Sequence, residues 1–397
     1  MRSPSETNAA GRSRGDLPDQ SMRLVPLENG CGPVFVGSRA GLIEQLIAAI
    51  GDEERVLVVG SERARNSGAV PRRAFAGLSV RWFSDFSSNP SLASACRASS
   101  LVSEFRPSVV VGLGGGSAMD VAKAARILPP DITVALDMIR SGCPPPPHGR
   151  VRLPGMVAVP TLSGSGAEVT RFATFYHDGR KLSLDDAGVL PDMAIIDPSL
   201  AATAPHPATS AATLDAICHA VESAWSRSAT AESRTHSERA LRRLATVRWK
   251  ADGAYSAEDR NAMAAGAVSA GFAINITRTT AAHAAAYPLT VHHDIPHGVA
   301  CALNMQWVAG ANSHQLLGDP GFIAVVERSL GVEVNDLAEY FGSELSSSGW
   351  PIRLRDYGVD RPDLPGIASA ATHQARMHNN PVSLTTSDIE DGLASIL

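Results

Sequence analysis

The sequence is poor in aromatic residues, at 5% of the chain, and carries no excess of positive charge, with 35 lysines and arginines against 40 aspartates and glutamates. The resulting net charge of −5 argues against nucleic acid or an anionic membrane surface as a partner. Long apolar runs are missing too, and nothing approaches the roughly 18 consecutive apolar residues of a membrane span. Cysteine is sparse: Cys31, Cys96, Cys143, Cys218 and Cys301 are odd in number, scattered, and form no CxxC pair. That excludes a disulfide framework and points to reduced thiols in a cytoplasmic protein. The opening MRSPSETNAAGRSRGDLPDQ has no apolar stretch of the kind a secretory signal needs, and residues 1–21 are expected to form a disordered tail. No internal repeat is visible.

What the chain does have is length and a core. With 397 residues, 44% of them hydrophobic, it is expected to fold as two domains. Over 22–204, short valine-rich runs alternate with helical segments. LVPLENGCGPVFVG reads as short strands, LIEQLIAAIG as a helix ending on glycine, RVLVVG as a buried strand, and RWFSDFSSNPS as strand then loop. PSLASACRASSLVSEFRP and SAMDVAKAARIL read as helices, and PSVVVGLGGG and MVAVPTLSG as strands entering glycines. This alternation predicts a Rossmann-like α/β domain with a largely parallel sheet. From about residue 205 to 397 the texture is alanine-rich with helical spacing, which predicts an all-α domain. The four prolines at 144–147 form a stiff spacer to which no function is assigned.

Two glycine turns follow predicted strands. In VVVGLGGGSAMDVAK, Gly114, Gly115, Gly116 and Ser117 precede a helix, where free N–H groups and the dipole suit an anion such as a pyrophosphate. The spacing fits neither the G-x-G-x-x-G fingerprint nor the Walker A pattern, and a plain strand–helix turn remains an alternative. A second turn, PTLSGSGAEVTRF, adds Thr161, Ser163, Ser165 and Thr170. Two such turns in one α/β domain favour a nucleotide in the crevice beyond the strand ends.

Histidine is unevenly spread. Four of the 12 fall in HAAAYPLTVHHDIPHG, and DAICHAVE sets Asp215 and His219 four apart on one helix face. His283 and His297 could complete a set of three imidazoles and one carboxylate, a mixture that suits Fe²⁺ or Zn²⁺ better than Mg²⁺ or Ca²⁺. The alternatives are a surface Asp–His pair and, for His292 and His293, a solvated loop.

These stretches carry a resemblance. SSNPS at 87–91, GGGSAMDVAK at 114–123, PTLSGSGAEVT at 160–170, LPDMAIIDPSL at 190–200, DAICHAVE at 215–222, the segment from His283 to His297, and NNP at 379–381 occur in the order seen in the iron-containing, or group III metal-dependent, alcohol dehydrogenases. The resemblance implies the fold shared with dehydroquinate synthases: a dinucleotide-binding α/β domain, a helical domain, and an active site in the cleft between them. It implies that Asp215, His219, His283 and His297 hold the metal, Fe²⁺ before Zn²⁺. It also implies that Ser61, Asn89, Gly114, Gly115, Gly116, Ser117, Asp120, Thr161, Leu162, Ser165 and Lys181 serve the dinucleotide. The activity implied is hydride transfer between the nicotinamide and a metal-polarised carbonyl of a small aldehyde. Family members are often homodimers or larger assemblies.

Two departures from the family pattern matter. Many members carry a second histidine four residues after the first histidine ligand, where this chain has Tyr287, so Tyr287 and the nearby His293 become candidates for positioning or moving a proton. NAD-preferring members often carry an aspartate beyond the strand RVLVV, where this chain has Ser61 followed by Glu62, Arg63 and Arg65. A serine flanked by arginines favours NADP(H) over NAD(H). The run RTTAAHAAAYPLTVHHDIPHG, with GRKLSLDDAGVLPD, is similar to the phosphonoacetaldehyde reductase branch, which implies reduction of phosphonoacetaldehyde to 2-hydroxyethylphosphonate in phosphonate natural-product biosynthesis. A phosphonate dianion calls for cations, and Arg171 and Arg278 are the candidates, with Lys181 a third. The rival readings are a general aliphatic alcohol dehydrogenase or aldehyde reductase, and a dehydroquinate synthase-like lyase.

Overall fold

The computed structural model describes residues 23–25, 34–36, 46, 50, 55–66, 75–142 and 153–397. The expected N-terminal tail, Cys31, Cys143 and the prolines at 144–147 lie outside the described residues. So does most of the helix expected over 42–51, of which Leu46 and Ile50 are helical and buried.

The first part of the chain runs β1 (Arg23–Val25), β2 (Val34–Val36), β3 (Arg55–Gly60), α1 (Glu62–Asn66), β4 (Ser79–Phe83), α2 (Leu92–Phe105), β5 (Val109–Gly114), α3 (Gly116–Ile127), α4 (Ile132–Ser141), β6 (Gly155–Pro160), β7 (Phe172–His177), β8 (Arg180–Asp185) and β9 (Met193–Ile196). Seven strands form one sheet in the order β1-β2-β9-β6-β5-β3-β4, parallel except for the antiparallel edge pair β1–β2. The valine-rich runs are its centre: every residue of β5 is buried, as is all of β3 beyond Arg55. From β3 the chain steps to β4 on one side and then returns to β5 on the other. That reversal opens a crevice at the carboxyl ends of β3 and β5, where ligands of open α/β sheets sit.

The helix α4 and the separate hairpin β7–β8 go beyond the alternation legible in the sequence. The hairpin turns through Asp178 and Gly179, both at positive φ (49° and 69°), as an Asp-Gly pair in a two-residue hairpin loop requires. Strand β7 alternates with period two, burying Ala173 and Phe175 in the core and turning Phe172, Thr174 and Tyr176 to the cleft described below.

After β9 the regular elements are helices: α5 (His206–Trp225), α6 (Ala231–Leu244), α7 (Ala257–Thr277), α8 (Ala281–His292), α9 (His297–Leu316), α10 (Pro320–Leu330), α11 (Leu337–Ser347), α12 (Leu364–Thr372) and α13 (Thr386–Ser395). Thr230 and Ser256 start α6 and α7 with reciprocal capping boxes. The core between α5, α8 and α9 is largely alanine: Ala216, Ala220, Ala224, Ala281, Ala282, Ala284, Ala285, Ala286, Ala300 and Ala302 are all fully buried. Small side chains let these helices approach closely enough for polar groups on them to converge. No helix among the described residues is long and apolar enough to cross a membrane.

The two parts meet where the second glycine turn touches α7. Gly166 has φ +63°, and a Cβ there would lie 2.5 Å from the Cα of Gly271. A Cβ on Gly271 would lie 2.6 Å from Val169 and 2.9 Å from Gly166. Gly271→Ala is therefore expected to destabilise the protein by about 1–3 kcal/mol through overpacking. Chemical denaturation followed by intrinsic fluorescence checks this, and an unchanged midpoint would show that the contact relaxes freely.

Candidate active site

A cleft of about 290 Å³ opens between the carboxyl ends of the central strands and the helices α5, α8 and α9. Helix α5 presents one face to it, Ala208, Ala211, Ala212, Asp215 and His219, at helical spacing. Helix α8 contributes His283 and Tyr287, four apart, and α9 begins with His297 and Gly298 at the cleft wall.

Asp215, His219, His283 and His297 come together there. The rings of His219 and His283 stack with centroids 4.6 Å apart, and His297 meets His283 edge-on at 5.3 Å. Asp215 Oδ1 lies 3.3 Å from His283 Nε2 and 3.7 Å from His219 Nε2. The most compact donor set is Asp215, His283, His297 and Cys301, whose ligand atoms all lie within 4.8 Å of one another. His219 sits beside that set, and Cys301, one turn beyond His297 on α9, joins it. Among the described residues, four buried polar atoms of this cluster lack a hydrogen-bond partner in good geometry: Asp215 Oδ1, His219 Nδ1, His283 Nε2 and His297 Nδ1. An unsatisfied buried polar atom costs about 1–3 kcal/mol. Several gathered at one point, with nitrogen and carboxylate chemistry, fit a divalent metal of the Fe²⁺ or Zn²⁺ kind. Burial pushes the imidazoles of His219 and His297 down, to about 4 and about 3, so both are neutral donors at neutral pH. Burial opposes ionisation of Asp215, yet the surrounding imidazoles, His219 foremost, hold its carboxyl well below the usual range.

His283 differs because Glu222 stands behind it. The fully buried Glu222 is on α5, and its Oε2 takes the Nδ1 proton of His283 in a very short contact. Its Oε1 accepts from the backbone N–H groups of Thr280 (3.1 Å), Ala282 (3.1 Å) and His283 (3.3 Å) and from the Thr280 hydroxyl (2.7 Å). These are the free donors of the first turn of α8, capped from another helix. Burial lowers the imidazole pKa, but Glu222 outweighs it and holds His283 up at about 9. With Nδ1 committed to a carboxylate, Nε2 is aimed into the cluster, the arrangement that orients metal-ligating histidines.

The glycine turns form the opposite wall. Gly116, Ser117, Asp120, Leu162, Ser165 and Lys181 line the cleft, as does Asn89, which is held at φ 57° in the loop before α2. Gly114, Gly115 and Thr161 are not part of that lining. They join the two turns from behind: Thr161 N–H donates to the Gly114 carbonyl at 2.9 Å, and a Cβ on Gly114 would lie 2.7 Å from that of Ala118. Burial pushes the Asp120 carboxyl up to about 7 against the pull of Lys123. Ser61 directly follows β3, exposed, with its hydroxyl accepting from Ala64 N–H at 3.2 Å.

Several expected residues are placed elsewhere. His293 terminates α8 and is not part of the cleft lining, because the helix ends there and Asp294 turns the chain at φ 54°. Arg278 donates twice to Asp185, at 2.6 and 2.7 Å, and Arg171 donates to the same carboxylate at 3.2 Å. Neither is part of the cleft lining: both guanidiniums serve a bridge between the hairpin and the end of α7. The Tyr287 ring lies between the Lys181 ammonium, 3.1 Å from its centroid, and the parallel ring of His297 at 5.5 Å. Burial drives the Tyr287 hydroxyl pKa above its usual value, so it keeps its proton at neutral pH. Reading the sequence missed Glu222, Cys301 and Arg376, of which Arg376 lines the cleft from the C-terminal segment. Glu222 is three residues after His219 and Cys301 four after His297, a helical spacing that could have exposed both.

Comparison with known proteins agrees with this geometry. The family model described as "Iron-containing alcohol dehydrogenase" matches residues 33–198, and "Fe-containing alcohol dehydrogenase family, C-terminal" matches 209–397. The phosphonoacetaldehyde reductase of Streptomyces viridochromogenes is 32% identical over 70% of this chain and 73% of its own. The 1,3-propanediol dehydrogenase of Citrobacter freundii is 28% identical over 90% and 94%. The crystal structure of sulfoacetaldehyde reductase from Bifidobacterium kashiwanohense in complex with NAD+ superimposes with a TM-score of 0.79, at 26% identity, over 91% of this chain and 96% of that one.

Replacing Glu222 tests how much the cluster depends on its support. Glu222→Gln keeps the shape and can still accept from the α8 N-terminus, but presents an amide to His283. Metal affinity, measured by competition with a chromophoric chelator, should fall about 10–100-fold. An unchanged affinity would mean that His283 needs no orienting carboxylate.

Proposed function

The chain belongs to the iron-containing alcohol dehydrogenase family, and on that premise we propose that it reduces phosphonoacetaldehyde to 2-hydroxyethylphosphonate, with Fe²⁺ and NADPH. Metal-dependent alcohol dehydrogenase activity is common ground for the family. The observation that carries the reading is the gathering of unsatisfied donor atoms on Asp215, His219, His283 and His297 in the same cleft as the two glycine turns.

When bound, the metal supplies Lewis acidity at a carbonyl oxygen and the reduced nicotinamide supplies hydride. Asp215, His219, His283 and His297 would hold the metal, with Cys301 adjacent. The first turn, with Gly116 and Ser117 at the start of α3, offers backbone N–H groups to a pyrophosphate, and Leu162 and Ser165 of the second turn would flank the dinucleotide. Tyr287, protonated and packed on His297, lines the cleft on the helical side. Narrow walls on two sides hold an aldehyde in one orientation, which is where much of the rate gain of such sites arises.

Two observations support an anionic aldehyde over a simple aliphatic one. The relative at 32% identity is a phosphonoacetaldehyde reductase, and the solved relative at 26% acts on sulfoacetaldehyde. The cleft also carries two basic side chains, Arg376 and Lys181, of which burial pulls the Lys181 pKa well down. NADP(H) is favoured by Ser61 directly after β3, with Arg63 and Arg65 on the following turn and no aspartate at the position that would repel a 2′-phosphate.

Oxidation of NADPH by the metal-loaded protein is expected with a kcat/KM for phosphonoacetaldehyde at least about a hundredfold above that for propanal, or about 2.7 kcal/mol of transition-state binding. Comparable values for the two would leave a general aldehyde reductase. For the cofactor, Ser61→Asp should lower the NADPH-to-NADH preference by about tenfold or more, and an unchanged ratio in the variant would sink the Ser61 assignment.

A further inference from the structure

We propose that Arg376 is the residue that recognises the substrate's anionic head group, so that selectivity for a tetrahedral oxyanion such as a phosphonate or sulfonate resides in the C-terminal segment. The inference rests on the aldehyde-reductase reading above and names the group that would give it specificity.

The other basic side chains around the cleft are committed. Arg171 and Arg278 share Asp185. Lys123 is buried against the Thr170 hydroxyl and the Phe172 carbonyl. The Lys181 ammonium sits on the Tyr287 ring. Arg376 lines the cleft, half-buried, and makes no hydrogen bond or ion pair with any described residue. Its guanidinium lies 5.6 Å from the ring centroid of Phe172, itself a cleft residue. A planar guanidinium stacked on an aromatic face keeps its N–H groups free at the edge, the geometry suited to bidentate oxyanion binding.

Its position is built from beneath. Arg376 is on the 3-10 turn Ala375–Asn379. Asn379 donates to the carbonyls of Thr277 (2.6 Å) and Thr279 (3.1 Å), which end α7 and precede α8. Asn380 and Asn312 exchange amide hydrogen bonds at 2.8 and 3.0 Å in the core. The Asn-Asn-Pro motif thus pins the turn to the same α7–α8 junction that leads into the metal cluster, and the guanidinium keeps a set distance from it. Asp185, the carboxylate of the hairpin, is already shared by two other guanidiniums.

The test uses metal-loaded full-length protein, wild type against Arg376→Met and Arg376→Lys, with phosphonoacetaldehyde, sulfoacetaldehyde and propanal. In Arg376→Met the ratio of kcat/KM for phosphonoacetaldehyde to that for propanal should fall about a hundredfold, mostly through KM, and Arg376→Lys should recover part of it. Comparing the two anionic aldehydes separates phosphonate from sulfonate as the natural head group. A variant ratio equal to wild type overturns the assignment, as does a loss carried by the KM for NADPH, which would make a dinucleotide phosphate the ligand. A wild type without preference for the charged aldehydes removes the proposed substrate and this inference together. A preference that survives Arg376→Met removes only the inference. Inhibition by methylphosphonate gives a binding readout independent of turnover and should weaken in parallel.

Discussion

One buried carboxylate holds the helical half of the cleft in place. Glu222 satisfies the first-turn N–H groups of α8 and fixes the ring of His283 at once, so the helix start and the ligand direction are set by the same two oxygens. Trp225, one turn further along α5, donates to the Thr280 hydroxyl at 2.8 Å and closes the same knot. A charged pair in so apolar a core is costly to desolvate and costlier to break, because removing one partner strands the other. The return is geometric: α5 and α8, which carry Asp215, His219 and His283, cannot rotate relative to one another without undoing it.

Close approach makes this possible. A Cβ on Gly298, the residue after His297, would fall 2.0 Å from the Ala211 carbonyl and 2.8 Å from Asp215 Cβ. The start of α9 therefore rests directly on the backbone of α5, and His297 reaches the cluster because nothing larger than hydrogen stands between them. The alanines of α5, α8 and α9 extend the same principle through the core. Their cost is a modest apolar burial per residue, offset by larger side chains buried in the same core, such as Trp225, Phe322 and Phe341.

Much of the sheet was legible because its signals are local. RVLVVG, VVVGLG and GMVAVP need no distant partner to read as buried parallel strands, and the glycines after them mark ligand-approach turns. The metal cluster was half legible: Asp215 and His219 share a helix face by spacing, but His283 and His297 joined them only through resemblance to a known family. The two arginines expected at the substrate show how a distant counter-ion places a side chain. Arg278 is close to His283 in sequence, yet its charge is answered by Asp185, 93 positions away. Sequence proximity locates a side chain and says nothing about which counter-ion has already claimed it. Arg376 is the converse, remote from every glycine turn and ligand motif and brought to the cleft only by the fold. His293 misled because a histidine beside a ligand helix can as easily terminate it.

The Asp185 bridge sets a boundary that does not coincide with chain order. The hairpin β7–β8 is encoded among the strands, but its Asp185 grips Arg278 at the end of α7 and its Lys181 lies on Tyr287 of α8. Its Ala173, Phe175 and Leu184 pack on Leu92, Ile127 and Leu128 of the first part of the chain, so the hairpin is tied to both halves. Recombining this chain with a relative by exchanging everything after residue 205 would separate a carboxylate from its guanidinium and an ammonium from its aromatic ring. A chimera keeps these contacts only if Asp185 and Arg278, and likewise Lys181 and Tyr287, come from the same parent.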